Sequence, residues 1–522
     1  MSARLGCALL MATLAFGGDL YRVAGVVVNA QTGSPIPGAR AIIEGGTSSV
    51  IARQVAGSDG RFSFYLPQGN FRLIGGTREF MQMYGEPAPG VAVGSAVITG
   101  PGHDTSDLVL HWFPPAAISG KVVDENGDPV ENALVQLVRA GVAAGRRTTT
   151  TVGWTRTDDR GEYRSGRISG GTYYLAVTAT PWYAERALFG SKDANASAAY
   201  APVYYPNVTE GSRAQPLHLA PGEEAHADFI LHTAAGASIT VTYDGQPPLS
   251  GLLSLIQEGI AGTDGFQRQD RIAARQVLRG VPPGRYLLRA NSTRGTAILS
   301  AQQWVEVNGV DQDVKLTMHH APTVSGTVRW TNPAGKPPGA TLIMLIPEKQ
   351  STIGVTVSVA ADGSFTFPSI LAGSYRPAVR VGIYSFDAEV QAEGAAFRSG
   401  VLELAEDETA TLRISANGNV GTVKGVVARG GKAVEGVMVV LAPVRDTANW
   451  AAYRGFQTDS DGSYNFEDVN AGEYYLFAMD DPEVEYTNPE IARTYYPNAR
   501  RVRAEAGKEI ELNIEPVRAA GK

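Results

Sequence analysis

Asp461-Gly462-Ser463-Tyr464-Asn465-Phe466, followed by Gly472-Glu473-Tyr474, is the stretch from which the fold can be read. Asp-Gly between alternating strands marks a tight hairpin, because the mirror-image turn needs a positive φ that glycine adopts without steric cost. Aromatic residues two apart point to the same side of a strand, so Tyr464 and Phe466 read as core residues. The signature recurs as Ser58-Asp59-Gly60-Arg61-Phe62-Ser63-Phe64 with Gly69-Asn70-Phe71, and as Asp159-Arg160-Gly161-Glu162-Tyr163 with Gly171-Thr172-Tyr173. It returns in Asp362-Gly363-Ser364-Phe365-Thr366-Phe367 with Gly373-Ser374-Tyr375. One further copy keeps only the closing half, Val281-Pro282-Pro283-Gly284-Arg285-Tyr286-Leu287.

Working outward, each signature is preceded by a similar opening strand. Val23-Ala24-Gly25-Val26-Val27-Val28, Ile118-Ser119-Gly120-Lys121-Val122, Val324-Ser325-Gly326-Thr327-Val328 and Val423-Lys424-Gly425-Val426-Val427 share a central glycine. Neighbouring openings lie roughly a hundred residues apart, save one gap of twice that, where Ala237-Ser238-Ile239-Thr240-Val241 opens a degenerate copy. A turn and a second strand follow, clearest in Asn126-Gly127-Asp128-Pro129-Val130 leading to Ala133-Leu134-Val135. A closing strand ends each copy, such as Ala227-Asp228-Phe229-Ile230-Leu231 and Ile510-Glu511-Leu512-Asn513-Ile514. About seven short strands per repeat, with no helical periodicity of useful length, predict an all-β fold. The expected architecture is a tandem array of about five antiparallel Greek-key β-sandwiches over 19–114, 115–234, 235–321 (the degenerate copy), 322–418 and 419–522. Short Pro-containing links such as Phe113-Pro114-Pro115 predict a bent but stiff string.

Composition agrees. Among 522 residues, 60 Gly and 30 Pro point to frequent turns, while 43% hydrophobic residues are ample for packed cores. The net charge of −7 carries no basic stripe and argues against nucleic acid as a partner. Arg4, the apolar stretch Leu5–Phe16 and the small residues Gly17 and Gly18 read as a secretory signal peptide over 1–18. The single cysteine, Cys7, lies inside it, too early for a lipidation site, so the mature chain is expected to lack thiols and disulfides. The predicted location is secreted, periplasmic or at the cell surface, with no membrane span after signal removal.

The Gly-x-Val opening, the Pro-x-x-Ala-x-Val second strand and the Asp-x-Gly-x-Tyr/Phe centre with its later Gly-x-Tyr resemble carboxypeptidase regulatory-like domains. These are transthyretin-like sandwiches, grouped with Cna-B-like and starch-binding-like folds. Two copies add Val203-Tyr204-Tyr205-Pro206-Asn207 and Thr494-Tyr495-Tyr496-Pro497-Asn498, a form similar to multi-copy bacterial envelope proteins. The resemblance implies a fold and says little about function, since such domains accompany peptidases, transporters and adhesins alike.

Catalytic chemistry is not apparent. None of His103, His111, His218, His226, His232, His319 and His320 has Glu three residues later, so the peptidase motif the family name suggests is absent. There is no Gly-x-Ser-x-Gly elbow and no phosphate-binding loop. Asp459-Ser460-Asp461-Gly462 overlays a calcium loop poorly, with Gln457 at the first ligand position. The isopeptide crosslink known in Cna-B-like domains is disfavoured, because its catalytic acid would fall at Ala478. No cofactor and no metal site is expected, and the chain is read as non-enzymatic.

The remaining positive signal is aromatic. Trp182-Tyr183 opens a long Ala/Ser-rich excursion that returns through Tyr204-Tyr205-Pro206. Sugar rings stack on flat aromatic faces, so Trp182, Tyr183, Tyr204 and Tyr205 form a candidate carbohydrate-binding set, with one Tyr of each pair packing inward as the competing reading. The function expected first is a structural or interaction protein of the cell envelope with envelope proteins as partners. The alternative is a carbohydrate-binding array recognising polysaccharide.

Overall fold

A computed structural model describes residues 19–46, 49–86, 94–103, 105–181, 198–244, 250–260, 264–294, 297–332, 339–348, 354–382, 384–481 and 483–519. The leader expected over 1–18 lies outside them. Strands dominate, and among the described residues the one α-helix is the short Pro489–Arg493.

Five hydrophobic cores form in sequence: Val23 to Leu110, Ala116 to Leu231, Ala237 to Leu316, Val324 to Ala416, and Val423 to Ile514. In each domain the opening strand lies in the middle of one sheet. Tyr21–Asn29, for instance, pairs antiparallel with Arg61–Leu66 and parallel with Thr105–Trp112. The same sandwiching holds for Ala116–Asp124, Ala237–Tyr243, Thr323–Trp330 and Val420–Val426. Among the described strands the opening-to-closing pairs are parallel and the other strand pairs antiparallel, with one further parallel bridge between Ala478 and Pro516. The whole domain intervenes between the opening and closing strands, and such a crossover lets the chain return in the same direction.

The shared glycine has a cause in that parallel pair. A Cβ on Gly25, Gly120, Gly326 or Gly425 would stand 2.2, 1.9, 2.2 or 1.9 Å from a carbonyl oxygen of the closing strand. In these four domains no side chain fits there with the strands as paired. The third domain places Ile239 at this point and pairs it with Gln312.

The aromatic signature fills the cores. Phe62, Phe64, Phe365, Phe367, Tyr464 and Phe466 are all buried, and so are Tyr173, Tyr286, Tyr375 and Tyr474. The latter four each donate a hydroxyl hydrogen bond to the carbonyl four residues earlier, on Ser169, Pro282, Leu371 and Asn470, at 2.7–2.9 Å. This ties the second strand of each hairpin to the turn before it and satisfies a hydroxyl that would be costly to bury alone.

The string folds back on itself. Successive domains touch through Gln31 Nε2 to Pro221 O, through Tyr204 packed on Ile260, through His319 and His320 on Asp407, and through Asp387 N to Asn470 Oδ1. The fifth domain then also meets the second: Arg147 Nε bonds Glu485 Oε1 at 2.7 Å, Thr487 Oγ1 donates to Gly145 O at 2.7 Å, and Arg146 lies 4.0 Å over the Trp450 ring. It meets the first through the strand Ala96–Thr99, whose free edge receives the turn Asp459–Gly462. These contacts of the fifth domain with the second and the first close the array.

Candidate functional site

The four aromatics singled out in the sequence do not assemble into one described surface. Trp182 and Tyr183 lie outside the described residues. Tyr204 is 2% exposed, in contact with Ala176 of its own sheet and Ile260 of the third domain, and burial raises its hydroxyl above the usual tyrosine range. Its ring is enclosed between the second and third domains rather than presented at a loop end. Tyr205 is half-buried against the second core, with its N–H bonded to Leu175 O at 3.1 Å. Asn207, three residues after Tyr204, accepts from Ile230 N at 2.8 Å and donates to Asp228 O at 3.1 Å, clamping the closing strand.

The fifth domain uses its copy in the same way. Tyr495 stacks on Phe477 at 5.2 Å and Tyr496 on Tyr475 at 4.0 Å, which covers the outer face of the sheet with a second small core. Asn498 Nδ2 donates to Arg518 O at 3.4 Å, near the end of the described chain. In both copies the tyrosines cover a sheet, and the Asn bonds the backbone of a later segment, the closing strand in the second domain and Arg518 in the fifth. Among the described aromatics of the second domain, the well-exposed ring is Trp154 on an edge strand, 67% accessible.

Two adjoining clefts, of 580 and 730 Å³, open between the fourth and fifth domains, and Asp387, Asp446 and Ala452 border both. Burial raises the Asp387 carboxyl above the usual carboxylate range, with Asp446 adding to the effect and Arg454 opposing it. The described lining residues include no histidine or cysteine. Among the described residues no group of three or more His, Cys, Asp or Glu could hold a metal.

His319, His320, Lys424 and Asn513 are engaged in contacts between or within domains. Asp407 accepts from His320 N at 2.7 Å and lies 2.6 Å from His319 Nδ1, and the His319 bond holds its carboxyl below the usual range. Lys424 Nζ pairs with Glu509 at 2.5 Å and Asn513 Oδ1 accepts from Val426 N, while Ala478 is fully buried. The fifth-domain turn was missed by sequence reasoning. Gln457, Thr458, Asp459 and Ser460 all bond to the first domain, where a calcium loop or a plain hairpin turn was the reading available.

No curated protein sequence matches the chain. Among solved structures, the TIE protein of Bacillus anthracis matches at 12% identity over 76% of this chain and 68% of that one, with a TM-score of 0.17. BcpA, the major pilin subunit of Bacillus cereus, matches at 12% identity over 58% and 99%, with a TM-score of 0.15. GBS52, the minor pilin of Streptococcus agalactiae, matches at 11% over 35% and 96%, with a TM-score of 0.20. These superpositions have no bearing on function. The second repeat has a counterpart at the level of a family: residues 117–190 match the carboxypeptidase regulatory-like domain, the similarity its glycine opening and Asp-x-Gly-x-Tyr centre express.

Proposed function

We propose that the chain is a non-catalytic structural and interaction protein of the cell envelope, exported by its Leu5–Phe16 leader, whose five sandwiches form one closed body. The observation that carries the reading is how the motif aromatics and turn carboxylates are used. Tyr204, Tyr495, Tyr496, Asp407 and Asp459 are engaged in covering sheets or joining domains. A binding array would keep such groups free at loop ends, whereas a scaffold engages them to fix the placement of one domain on the next.

The test is retardation of the tag-free mature chain on a panel of immobilised soluble polysaccharides, alongside Trp182→Ala and Trp154→Ala variants. Equal mobility of all three proteins is expected. Retardation by one polysaccharide that either substitution abolishes would replace the scaffold reading with the carbohydrate-binding one.

A further inference from the structure

The turn Asp459–Gly462 has a relative in every well-kept repeat, and the copies can be aligned through one backbone bond. Gly462 N donates to Asp459 O as Gly161 N does to Asp158 O, Gly60 N to Gly57 O and Gly363 N to Ala360 O. Asp158 and Asp459 therefore occupy the same place. Asp158 is exposed and its carboxylate stays within its own turn, accepting from Arg160 N and Glu162 N at 3.0 and 2.8 Å. Asp459 is 9% exposed and its Oδ1 instead accepts from Ala96 N of the first domain at 2.9 Å.

Around that bond a strip of domain five lies along the free edge of Ala96–Thr99. Ser460 N donates to Ala96 O at 2.9 Å, Ile98 N to Ser460 Oγ at 3.1 Å, and Ser95 Oγ to Thr458 O at 2.7 Å. Gln457 Nε2 donates to Gly85 O and Tyr84 OH to Glu435. His103 Nδ1 stands 3.1 Å from Asp461. The ionisable groups at the contact are thus Tyr84, Glu86 and His103 from the first domain, and Glu435, Asp459 and Asp461 from the fifth.

We propose that Glu435 and the Asp459–Gly462 turn of the fifth domain form an acid-strengthened clasp on the first domain, which holds the array closed at mildly acidic pH and loosens it as the pH rises. The geometry places two carboxyls against a partner domain, and among the described residues neither has a cation in an ion pair, so removal from water disfavours their charged forms. Burial pushes Asp459 up to about 6, with the Ala96 N–H bond opposing the rise and Asp461 adding to it, and burial pushes Glu435 up to about 7. Because Glu435 as a residue remains exposed, solvent weakens its share, and Asp459 is the better guide to magnitude.

The sign follows from linkage. A carboxyl whose value is raised on closure binds more protons in the closed form, so closure is strongest at low pH. It weakens from the ordinary carboxylate value upward until the raised value is passed. For Asp459, moving from 3.8 to about 6 on closure, the closing equilibrium falls about tenfold between pH 5 and pH 8.

Hydrogen–deuterium exchange of the full chain tests this, because the Ala96 and Ile98 amides face the fifth domain. After correction for intrinsic rates, their protection is expected to fall about tenfold or more from pH 5 to pH 8, with peptides in the second core unchanged. The double variant Asp459→Asn, Glu435→Gln keeps acceptors without titratable charge and should flatten the profile. Ser460→Ala removes an uncharged bond and should lower protection at all pH values without altering the slope. A flat or inverted profile in the native chain overturns the proposal. So does a double variant that keeps the native slope, or a Ser460→Ala variant that alone abolishes it.

Discussion

Replacing Gly120 by Ala is the sharpest probe of the repeat. The added Cβ would stand 1.9 Å from Ala227 O, against an ordinary carbon–oxygen contact of about 3.3 Å, so the closing strand must retreat by about 1.4 Å. Three hydrogen bonds stand at that point: Ala227 N to Ser119 O at 2.9 Å, Tyr163 OH to Ala227 O at 2.6 Å, and Lys121 N to Asp228 Oδ1 at 2.8 Å. A retreat of that size breaks them, at about 1 kcal/mol each. The lower entropy of an unfolded chain with Ala in place of Gly returns about 0.5 kcal/mol, which leaves a loss of ~2–3 kcal/mol. Gly141 is the internal control, since a Cβ there meets nothing within 4 Å and the residue lies in the same domain. Native-state hydrogen exchange over 116–124 and 224–231 reads the opening free energy of this domain within the closed chain. Gly120→Ala should lower it by ~2–3 kcal/mol, while Gly141→Ala should leave it unchanged or slightly raised. A loss below ~1 kcal/mol at Gly120, or equal losses at both positions, would refute the reasoning that the parallel pair dictates glycine.

Two further outcomes follow from the same contacts. Tyr474→Phe removes the hydroxyl bond to Asn470 O and should cost the fifth domain ~1 kcal/mol, whereas Tyr474→Ala should cost ~3–5 kcal/mol, measured by denaturant unfolding; near-equal losses would mean the ring contributes little. Asp407→Asn should lower amide protection at His320 near pH 5–6. In the native chain that protection should persist above the ordinary carboxylate value and be lost as the pH falls through the depressed one, since His319 holds the Asp407 carboxyl down.

The strand repeat was legible because its constraints are local. A positive φ demands Gly60, Gly161, Gly363 and Gly462, and period-two alternation puts Phe365 with Phe367, and Tyr464 with Phe466, on one side of a strand. The parallel pairing was not legible, because it joins residues such as Gly25 and Leu108 that nothing in the intervening sequence marks as partners, although the glycine itself was the visible trace of it. The surroundings of the paired tyrosines were illegible for a related reason. Alternation tells which residues leave the core of their own sandwich and says nothing about what covers them afterwards. Tyr204 leaves its core and is then buried by Ile260, from a domain whose placement depends on the link between them. Asp459 makes the point most directly. It and Asp158 sit at the same position of the same turn, and their neighbours in sequence, Ser460 and Asp159, are both small and polar. Yet one is an exposed turn acceptor and the other is bonded to Ala96 across a domain contact. The difference is made by the edge of Ala96–Thr99, which lies more than 350 residues away in the chain and has an unpaired backbone that a neighbouring domain can cover. In an array of near-identical sandwiches, each copy inherits its strands from its own sequence and the role of its loops from whichever copy it meets.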